Sequence, residues 1–342
     1  MIPFYKLSMA LMLTMVFLFV TGVFVGGSSA QASVSSTRGT DFWITFDSNN
    51  SAAGDLRVYL SSSAAASVQI AWPDGQVTSH SVNANSVLAI EADVYADSYV
   101  NLATHGTAGN AIHITSDVPI TVYGAHIQNA TSDAFVAIPT ASLGTTYRLL
   151  THPQGQGHNR NRFSVIAAES GTTTVSITPT AALAGGATAG STFSVSLTQG
   201  QVYTSQTASG GGSLDLSGTL IQADKEIVVT SSDNCANTRA GACDHVVQYM
   251  PPVTAWGSSF ILPGSSNASS PDRYRVVADE ANTEVRIDGS LVATLGAGGS
   301  YQFDPTGSNA QQTQLLETSK PALVGQFLGS GNFGGQTGDP AF

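Results

Sequence analysis

The feature that most constrains this chain is an internal repeat with a period of roughly 110 residues. The segment 138–147, IPTASLGTTY, aligns with 250–260, MPPVTAWGSSF, so that a proline, a glycine and an aromatic residue recur in the same order. Farther along, 162–169 resembles 273–280, and each is followed by a Thr-x-Val-x-Ile run. A repeat of this length is typical of tandem domains that each bury their own core.

A third repeated element is a short polar segment followed by apolar residues. It occurs three times, at 116–124, 223–231 and 319–325. We interpret each copy as a polar turn that leads into the strand closing one unit.

Within the units, apolar and polar residues alternate with a period of two. The pattern is clear at 56–60, 67–72, 193–197 and 284–287, and it indicates strands with one buried face. Tight turns are predicted at 73–75, 169–171 and 287–289, where Gly follows Asp or Ser. The sequence therefore predicts an all-β fold of three tandem β-sandwich-like modules, with a barrel or propeller-like closure as the alternative.

The repeats predict the domain boundaries. We expect module 1 at 39–131, module 2 at 132–234 and module 3 at 235–333, with the disulfide loop at the start of module 3. The last residues, 339–342, read DPAF and are similar to DAF at 133–135. We therefore expect 334–342 to begin a further strand or unit, and the native chain to continue past Phe342.

The first 32 residues have the pattern of a signal peptide. Lys6 precedes a mostly apolar run at 7–25, and Ala30-Gln31-Ala32 supplies the small residues that a signal peptidase requires. The alternative is an uncleaved anchor, because the apolar run approaches the ~18 residues that span a bilayer. We expect cleavage after Ala32 and a protein that is secreted, extracellular or on the cell surface.

Charge and composition exclude two broad classes. The net charge is −11 and 10% of residues are charged, which argues against a nucleic-acid partner because such proteins carry a basic surface. The hydrophobic fraction of 42% supplies a core and argues against intrinsic disorder.

The two cysteines, Cys235 and Cys243, lie close together in a polar segment. In an oxidising compartment such a pair predicts one disulfide bond. The alternative is a metal site with Asp233, Asp244 and His245 nearby, but two widely spaced cysteines and one histidine match no zinc pattern.

No catalytic, metal or cofactor motif is present. The sequence lacks a zinc-protease H-E-x-x-H, a G-x-S-x-G nucleophile elbow, a P-loop and a dinucleotide-binding fingerprint. Glu169 and Glu280 recur at equivalent places, which favours a structural role such as pairing with Arg162 or Arg273. We therefore predict no catalytic residues, no metal ligands and no cofactor.

One loop is rich in oxygen ligands: Asp47, Asn49, Asn50 and Asp55. Calcium prefers such ligands, but the spacing lacks the alternation and the bidentate Glu of a defined site. An Asx-rich turn is the favoured interpretation.

Two blocks of this chain resemble the IgGFc-binding protein N-terminal domain family. The first contains Asp41-Phe42-Trp43, and the second contains Asp244-His245, Pro252 and Trp256-Gly257 in the family's order. The resemblance implies that Cys235 and Cys243 are the family's cysteine pair. It implies no enzymatic activity, and it makes IgG Fc a possible partner without assigning Fc binding to any residue.

The combined prediction is a non-enzymatic binding, adhesion or structural protein. Repeated β modules would contact an extracellular protein or glycan, because weak sites presented together bind more strongly. The alternative is an extracellular glycan-acting hydrolase with an unrecognised carboxylate pair.

Overall fold

The structure is a computed structural model that describes residues 36–49, 54–92, 100–101, 104–109, 111–128, 131–153, 160–209, 214–238, 243–265, 271–329, 331–333 and 336–338. The predicted signal peptide at 1–32 and residues 339–342 lie outside the described residues. The described ranges contain no helix that is long and apolar enough to cross a membrane.

The first sheet has seven strands in the order β5-β4-β9-β3-β6, and both β1 and β10 pair with β9. Two further short strands, β2 and β7, pair in parallel. The strands in this part of the chain are β1 (Arg38–Ile44), β2 (Phe46–Asp47), β3 (Asp55–Ser62), β4 (Ala66–Ala71), β5 (Val77–Val82), β6 (Ser86–Glu91), β7 (Val100–Asn101), β8 (His105–Ala108), β9 (Ile112–Ile127) and β10 (Asp133–Val136).

The second sheet has eight strands in the order β14-β13-β16-β12-β15-β8, and both β11 and β17 pair with β16. A 3-10 turn, Thr140–Ser142, lies between β10 and β11. Besides β8, the strands of this sheet are β11 (Gly144–Arg148), β12 (Asn161–Ala167), β13 (Thr172–Thr178), β14 (Phe193–Thr198), β15 (Val202–Gln206), β16 (Leu220–Ala236) and β17 (Asp244–Tyr249).

The third sheet has six strands in the order β21-β20-β23-β19-β22, and β18 pairs with β23. Two 3-10 turns, Val253–Ala255 and Gly307–Gln311, and a final hairpin of β24 and β25 complete the described chain. The strands are β18 (Gly257–Leu262), β19 (Arg273–Ala278), β20 (Thr283–Ile287), β21 (Ser290–Leu295), β22 (Ser300–Phe303), β23 (Gln314–Phe327), β24 (Gly331–Phe333) and β25 (Gln336–Gly338).

The three sheets share one topology, since six strands in each occupy the same order around one long central strand. The prediction of an all-β chain with three repeat units is therefore confirmed. The alternating pattern seen in the sequence corresponds to alternating burial, as in β4. The predicted turn at Asp288-Gly289 joins β20 to β21, with positive φ values of 48° and 78°.

The repeated polar segments do not form turns as expected. Each lies inside a central strand, β9, β16 or β23, at the point where that strand changes neighbours. There a side-chain oxygen accepts a backbone N–H from the adjacent strand: Asp117 from Ser67, Asp224 from Thr174 and Ser319 from Glu284. The side chain takes the place of a backbone carbonyl in the hydrogen bonding between strands. This explains why a polar residue recurs at this position although the chain does not turn there.

Some strands pair across the predicted module boundaries. β10 pairs with the central strand of the first sheet, β17 pairs with that of the second, and β8 adds to the edge of the second sheet. The buried cluster of the first sheet also includes Ile166, Ala168, Val202 and Val228 from the second. Neighbouring sheets thus share side chains in their cores, and the boundaries at 131/132 and 234/235 stay a proposal.

Candidate functional site

Several buried polar and charged side chains of the described chain lie where one sheet contacts the next. We call the contact between the first and second sheets the first joint, and that between the second and third sheets the second joint.

The first joint begins with Asp41, Phe42 and Trp43 on β1. Phe42 is fully buried, and Trp43 is 8% exposed. The Trp43 ring stacks on His113 with centroids 4.0 Å apart, and Asp41 Oδ2 lies 2.9 Å from His113 Nε2. The far edge of the Trp43 ring lies over Gly200, where a Cβ would be only 3.1 Å from it. These three residues thus place an aromatic ring of the first sheet against the second.

Asp47 anchors the first joint through its carboxylate. Both of its oxygens are hydrogen-bonded to hydroxyls of the second sheet: Ser164 Oγ at 2.5 Å, Thr230 Oγ1 at 2.7 Å and Ser232 Oγ at 3.0 Å. Asp47 is 2% exposed, and burial of a carboxylate requires such hydrogen bonds. The expectation of an Asx-rich turn at Asp47 is wrong, because the residue lies in β2 and bonds across the joint.

Asp244 and His245 open β17 beside the disulfide. His245 Nδ1 donates to the Asp233 carbonyl at 3.1 Å, and the Cys235 N–H donates to Asp233 Oδ1 at 2.8 Å. Burial raises the pKa of Asp233 to about 7 and lowers the pKa of His245 to about 3. The His245 ring is therefore uncharged near neutral pH, whereas the Asp233 carboxyl changes its charge around pH 7.

The predicted disulfide between Cys235 and Cys243 is present, with Cα atoms 4.9 Å apart. It links the end of β16 to the residue before β17. Among the described residues no cluster of three or more His, Cys, Asp or Glu side chains is arranged to hold a metal ion.

Pro252, Trp256 and Gly257 surround the second 3-10 turn. Pro252 precedes the turn and packs on Gly144, where a Cβ would lie 2.7 Å from the proline ring. Pro139 packs in the same way on Gly39. The partly buried Trp256 donates its indole N–H to the Pro251 carbonyl at 3.2 Å. The glycine near the start of one sheet's first long strand thus contacts the proline that lies just before the corresponding strand of the following sheet.

At the second joint, Arg148 stands four residues after Gly144, as Trp43 stands four residues after Gly39 at the first joint. Arg148 reaches the third sheet, where its Nε lies 2.6 Å from Asp279 Oδ1. Arg275 reaches back to the second sheet and donates to the Thr151 carbonyl, to Ser217 Oγ at 2.7 Å and to Asp215 Oδ2 at 2.6 Å.

Asp215 and His152 have shifted pKa values at the second joint. Burial alone would raise the pKa of Asp215, but the hydrogen bonds and charge of Arg275 outweigh it and leave that pKa lowered. Burial lowers the pKa of His152 to about 3, and the charges of Arg273 and Arg275 add to this effect. The neutral His152 ring accepts a hydrogen bond at Nε2 from Arg273 Nη1 at 2.9 Å.

The repeated glutamates have other partners than expected. Glu169 accepts the backbone N–H of Glu226 at 3.0 Å, and Glu280 pairs with Lys320 at 3.2 Å. Arg162 donates to Gln206, and Arg273 pairs with Asp304. The pairing prediction for these glutamates is wrong, because each arginine points toward a neighbouring strand or joint.

A model of the family described as IgGFc binding protein matches residues 133–342 of this chain. The chain belongs to the IgGFc-binding protein family. It is 30% identical to the human IgGFc-binding protein over 204 residues, which are 57% of this chain and 4% of that protein. The family resemblance noted in the sequence is thereby confirmed, with the matched residues beginning at β10 and Asp41-Phe42-Trp43 lying ahead of them.

Two solved structures show a faint likeness to this IgGFc-binding family member. One is a GH78 family rhamnosidase of Bacillus sp. GL1, with 7% identity, a TM-score of 0.18 and coverage of 87% of this chain and 54% of that chain. The other is a tetra-tandem repeat in the extending region of a large adhesion protein, with 14% identity, a TM-score of 0.10 and coverage of 80% and 74%. TM-scores this low carry no argument about fold or chemistry.

Sequence reasoning missed the ionic residues of the joints: Arg148, Asp215, Arg275 and Asp279. A usable signal was present, because Arg275 directly precedes the apolar residues Val276, Val277 and Ala278 of its strand in a chain with only 10% charged residues. A charged residue inside a strand that is otherwise buried is usually paired.

Proposed function

We propose that this chain is an extracellular, non-catalytic binding protein that holds a protein partner on a row of three joined β modules. Membership of the IgGFc-binding protein family over 133–342 carries this proposal. The matched residues include the third sheet, the second sheet apart from β8, and the second joint, so we propose the partner-binding surface there.

The use of the buried polar groups supports a binding role over catalysis. Asp47 is hydrogen-bonded to three hydroxyls, and Asp215 is paired with Arg275. A catalytic carboxylate needs access to substrate, whereas these two hold one sheet against the next. The joints keep the modules in register, which presents repeated surfaces together and raises avidity for a partner.

Extracellular placement is supported by the Cys235–Cys243 disulfide and by the predicted signal peptide. Disulfides persist where the environment is oxidising. Cleavage after Ala32 would then make Ser33 the first residue of the exported protein.

IgG Fc is the first partner to test, since the human relative is named for it. Residues 33–342 would be immobilised and exposed to Fc, to Fab from the same IgG and to a glycan array, with binding followed by interferometry. We expect saturable binding of Fc or of another protein and no glycan turnover. Hydrolysis of a glycan that a single Asp or Glu substitution abolishes, without binding to any protein, would overturn the proposal.

A further inference from the structure

One strand position acts as a docking residue at both joints. It is the fourth residue after the glycine that opens the first strand of each sheet, where each strand shows the same register shift. The three glycine and docking-residue pairs are Gly39 and Trp43, Gly144 and Arg148, and Gly257 and Ile261.

The docking residue meets a receiving face on the following sheet. This face consists of four positions that strand pairing makes equivalent in all three sheets. They are Ser61, Ser63, Val87 and Thr121 in the first sheet, Ile166, Ala168, Val202 and Val228 in the second, and Val277, Asp279, Ser300 and Leu323 in the third.

Beside each receiving face lies a turn with a positive φ, at Asn85, Gly200 and Gly298. Its N–H donates to the equivalent carbonyls of Ser62, Ala167 and Ala278 at 2.8 to 2.9 Å.

The chemistry of the docking residue matches that of the face it meets. Trp43 meets the second sheet, whose receiving face is wholly apolar and belongs to the same buried cluster as Trp43. Arg148 meets the third sheet, where Asp279 stands in the place of Ala168 and supplies the opposite charge at 2.6 Å. Specificity at such a contact comes from this pairing of side chains.

Ile261 is the third docking residue, and it is 74% exposed. Its cross-strand partner Leu315 is also exposed, at 40%. A Cβ built on Gly257 would meet only the ring of Phe260, whereas the equivalent Gly39 and Gly144 each receive a proline. Trp43 and Arg148 are each in contact with a following sheet. At the equivalent position of the third sheet, Ile261 and its partner Leu315 are exposed aliphatic side chains.

A second copy of this chain is a poor occupant for the Ile261 face. The receiving face of the first sheet, which no other described sheet covers, is polar at three of its four positions and borders a cavity of about 400 Å³. Arg38 extends along it and donates to Ser63 Oγ at 2.9 Å. Burying Ile261 there would desolvate the guanidinium and hydroxyls without replacing their hydrogen bonds. A polar outer face is also typical of the capping unit of a repeat array.

We propose that the face formed by Ile261 and Leu315 docks a β module of this same repeat whose receiving face is apolar. The partner module carries a small residue at the place of Ala168 and aliphatic residues at the places of Ile166, Val202 and Val228. This inference is independent of whether the chain binds Fc.

The test transfers an apolar receiving face onto the first sheet. One variant carries Arg38→Leu, Ser61→Ile, Ser63→Ala and Thr121→Val, which copies the second sheet; these residues line an open cavity. We expect reversible head-to-tail oligomers by sedimentation, with at least a doubling of the weight-average mass, while the unmodified protein stays monomeric. Adding Ile261→Asp should restore the monomer.

A second variant copies the third sheet instead, with Arg38→Leu, Ser61→Val, Ser63→Asp, Val87→Ser, Thr121→Leu and Ile261→Arg. It should also oligomerise, and salt should dissociate it because the contact then depends on a charge pair. Circular dichroism checks that both variants fold. Folded variants that both stay monomeric would overturn the proposal, and so would an unmodified protein that self-associates and is made monomeric by Ile261→Asp.

Discussion

The two joints connect the same backbone positions with opposite side-chain chemistry. At the first joint an acid on the leading sheet, Asp47, accepts hydrogen bonds from three hydroxyls on the following sheet. At the second joint a cation on the following sheet, Arg275, donates to the leading sheet. Ser164 and Arg275 occupy equivalent positions on β12 and β19, so the same strand position takes part in both contacts with a different donor.

This difference shows how a repeat array fixes the order of its units. A second sheet placed where the third belongs would bring no cation to Asp215. A third sheet placed where the second belongs would bring Arg275 in place of the Ser164 hydroxyl. Each misplacement leaves buried polar groups without partners, which is the usual basis of specificity against a wrong neighbour.

The largest expected loss of stability comes from removing the docking residue of the first joint, Trp43. Trp43→Ala removes a ring that lies against Gly200 and His113, and we expect a loss of about 3–5 kcal/mol in the free energy of unfolding. Ile261→Ala is the matched control, because it removes a side chain at the equivalent but exposed position and should change stability by less than about 0.5 kcal/mol. Urea denaturation measures both, and equal losses would contradict the equivalence of covered and open positions.

The disulfide distinguishes the first joint, because it adjoins the Asp233 and His245 network. Replacing Cys235 and Cys243 together by Ala should cost about 2–3 kcal/mol, since the bond closes a short loop. The unmodified protein treated with reductant should show the same loss. Two free thiols in protein purified from an oxidising compartment would refute the pairing.

The sequence predicted the repeats, the strand periodicity and the disulfide, because each depends on local pattern. Pro139 and Pro252, Gly144 and Gly257 were aligned correctly, and both prolines precede a 3-10 turn. Burial does not follow the alignment: Tyr147 is fully buried, whereas the aligned Phe260 is only partly buried.

The joint contacts were not predictable, because they depend on which sheets meet. Asp47 lies 117 residues from Ser164 and 183 from Thr230 along the chain. Nothing in the local sequence of Asp47 indicates hydroxyl partners so far away. The repeat predicts that docking positions exist, but only the packed structure shows what each position contacts.

The second joint is tested by its ion pair. Arg275→Met removes the hydrogen bonds that Arg275 donates to Asp215, Thr151 and Ser217, and we expect a loss of about 1.5–3 kcal/mol because the hydrogen bonds involve a charged group. Asp215→Asn, alone and combined with Arg275→Met, completes a double-mutant cycle. The double variant should lose less than the sum of the single variants, and additive losses would show that the two side chains are not coupled.

The smallest effect is a difference in pH dependence between the joints. Folded His152 has a pKa of about 3, below its ordinary value, so between pH 7 and pH 5 the unfolded chain binds the proton and stability falls as pH falls. We expect this group to lower the free energy of unfolding by about 2 kcal/mol over that range.

At the first joint His245 acts in the same direction. Asp233, whose folded pKa of about 7 lies above its ordinary value, binds a proton in the folded state and offsets this loss of stability. His152→Gln should therefore reduce the stability lost on acidification, whereas Asp233→Asn should increase it. Urea midpoints at pH 7 and pH 5 measure both differences, and shifts in the same direction for the two variants would contradict the assignment of opposite roles to the two joints.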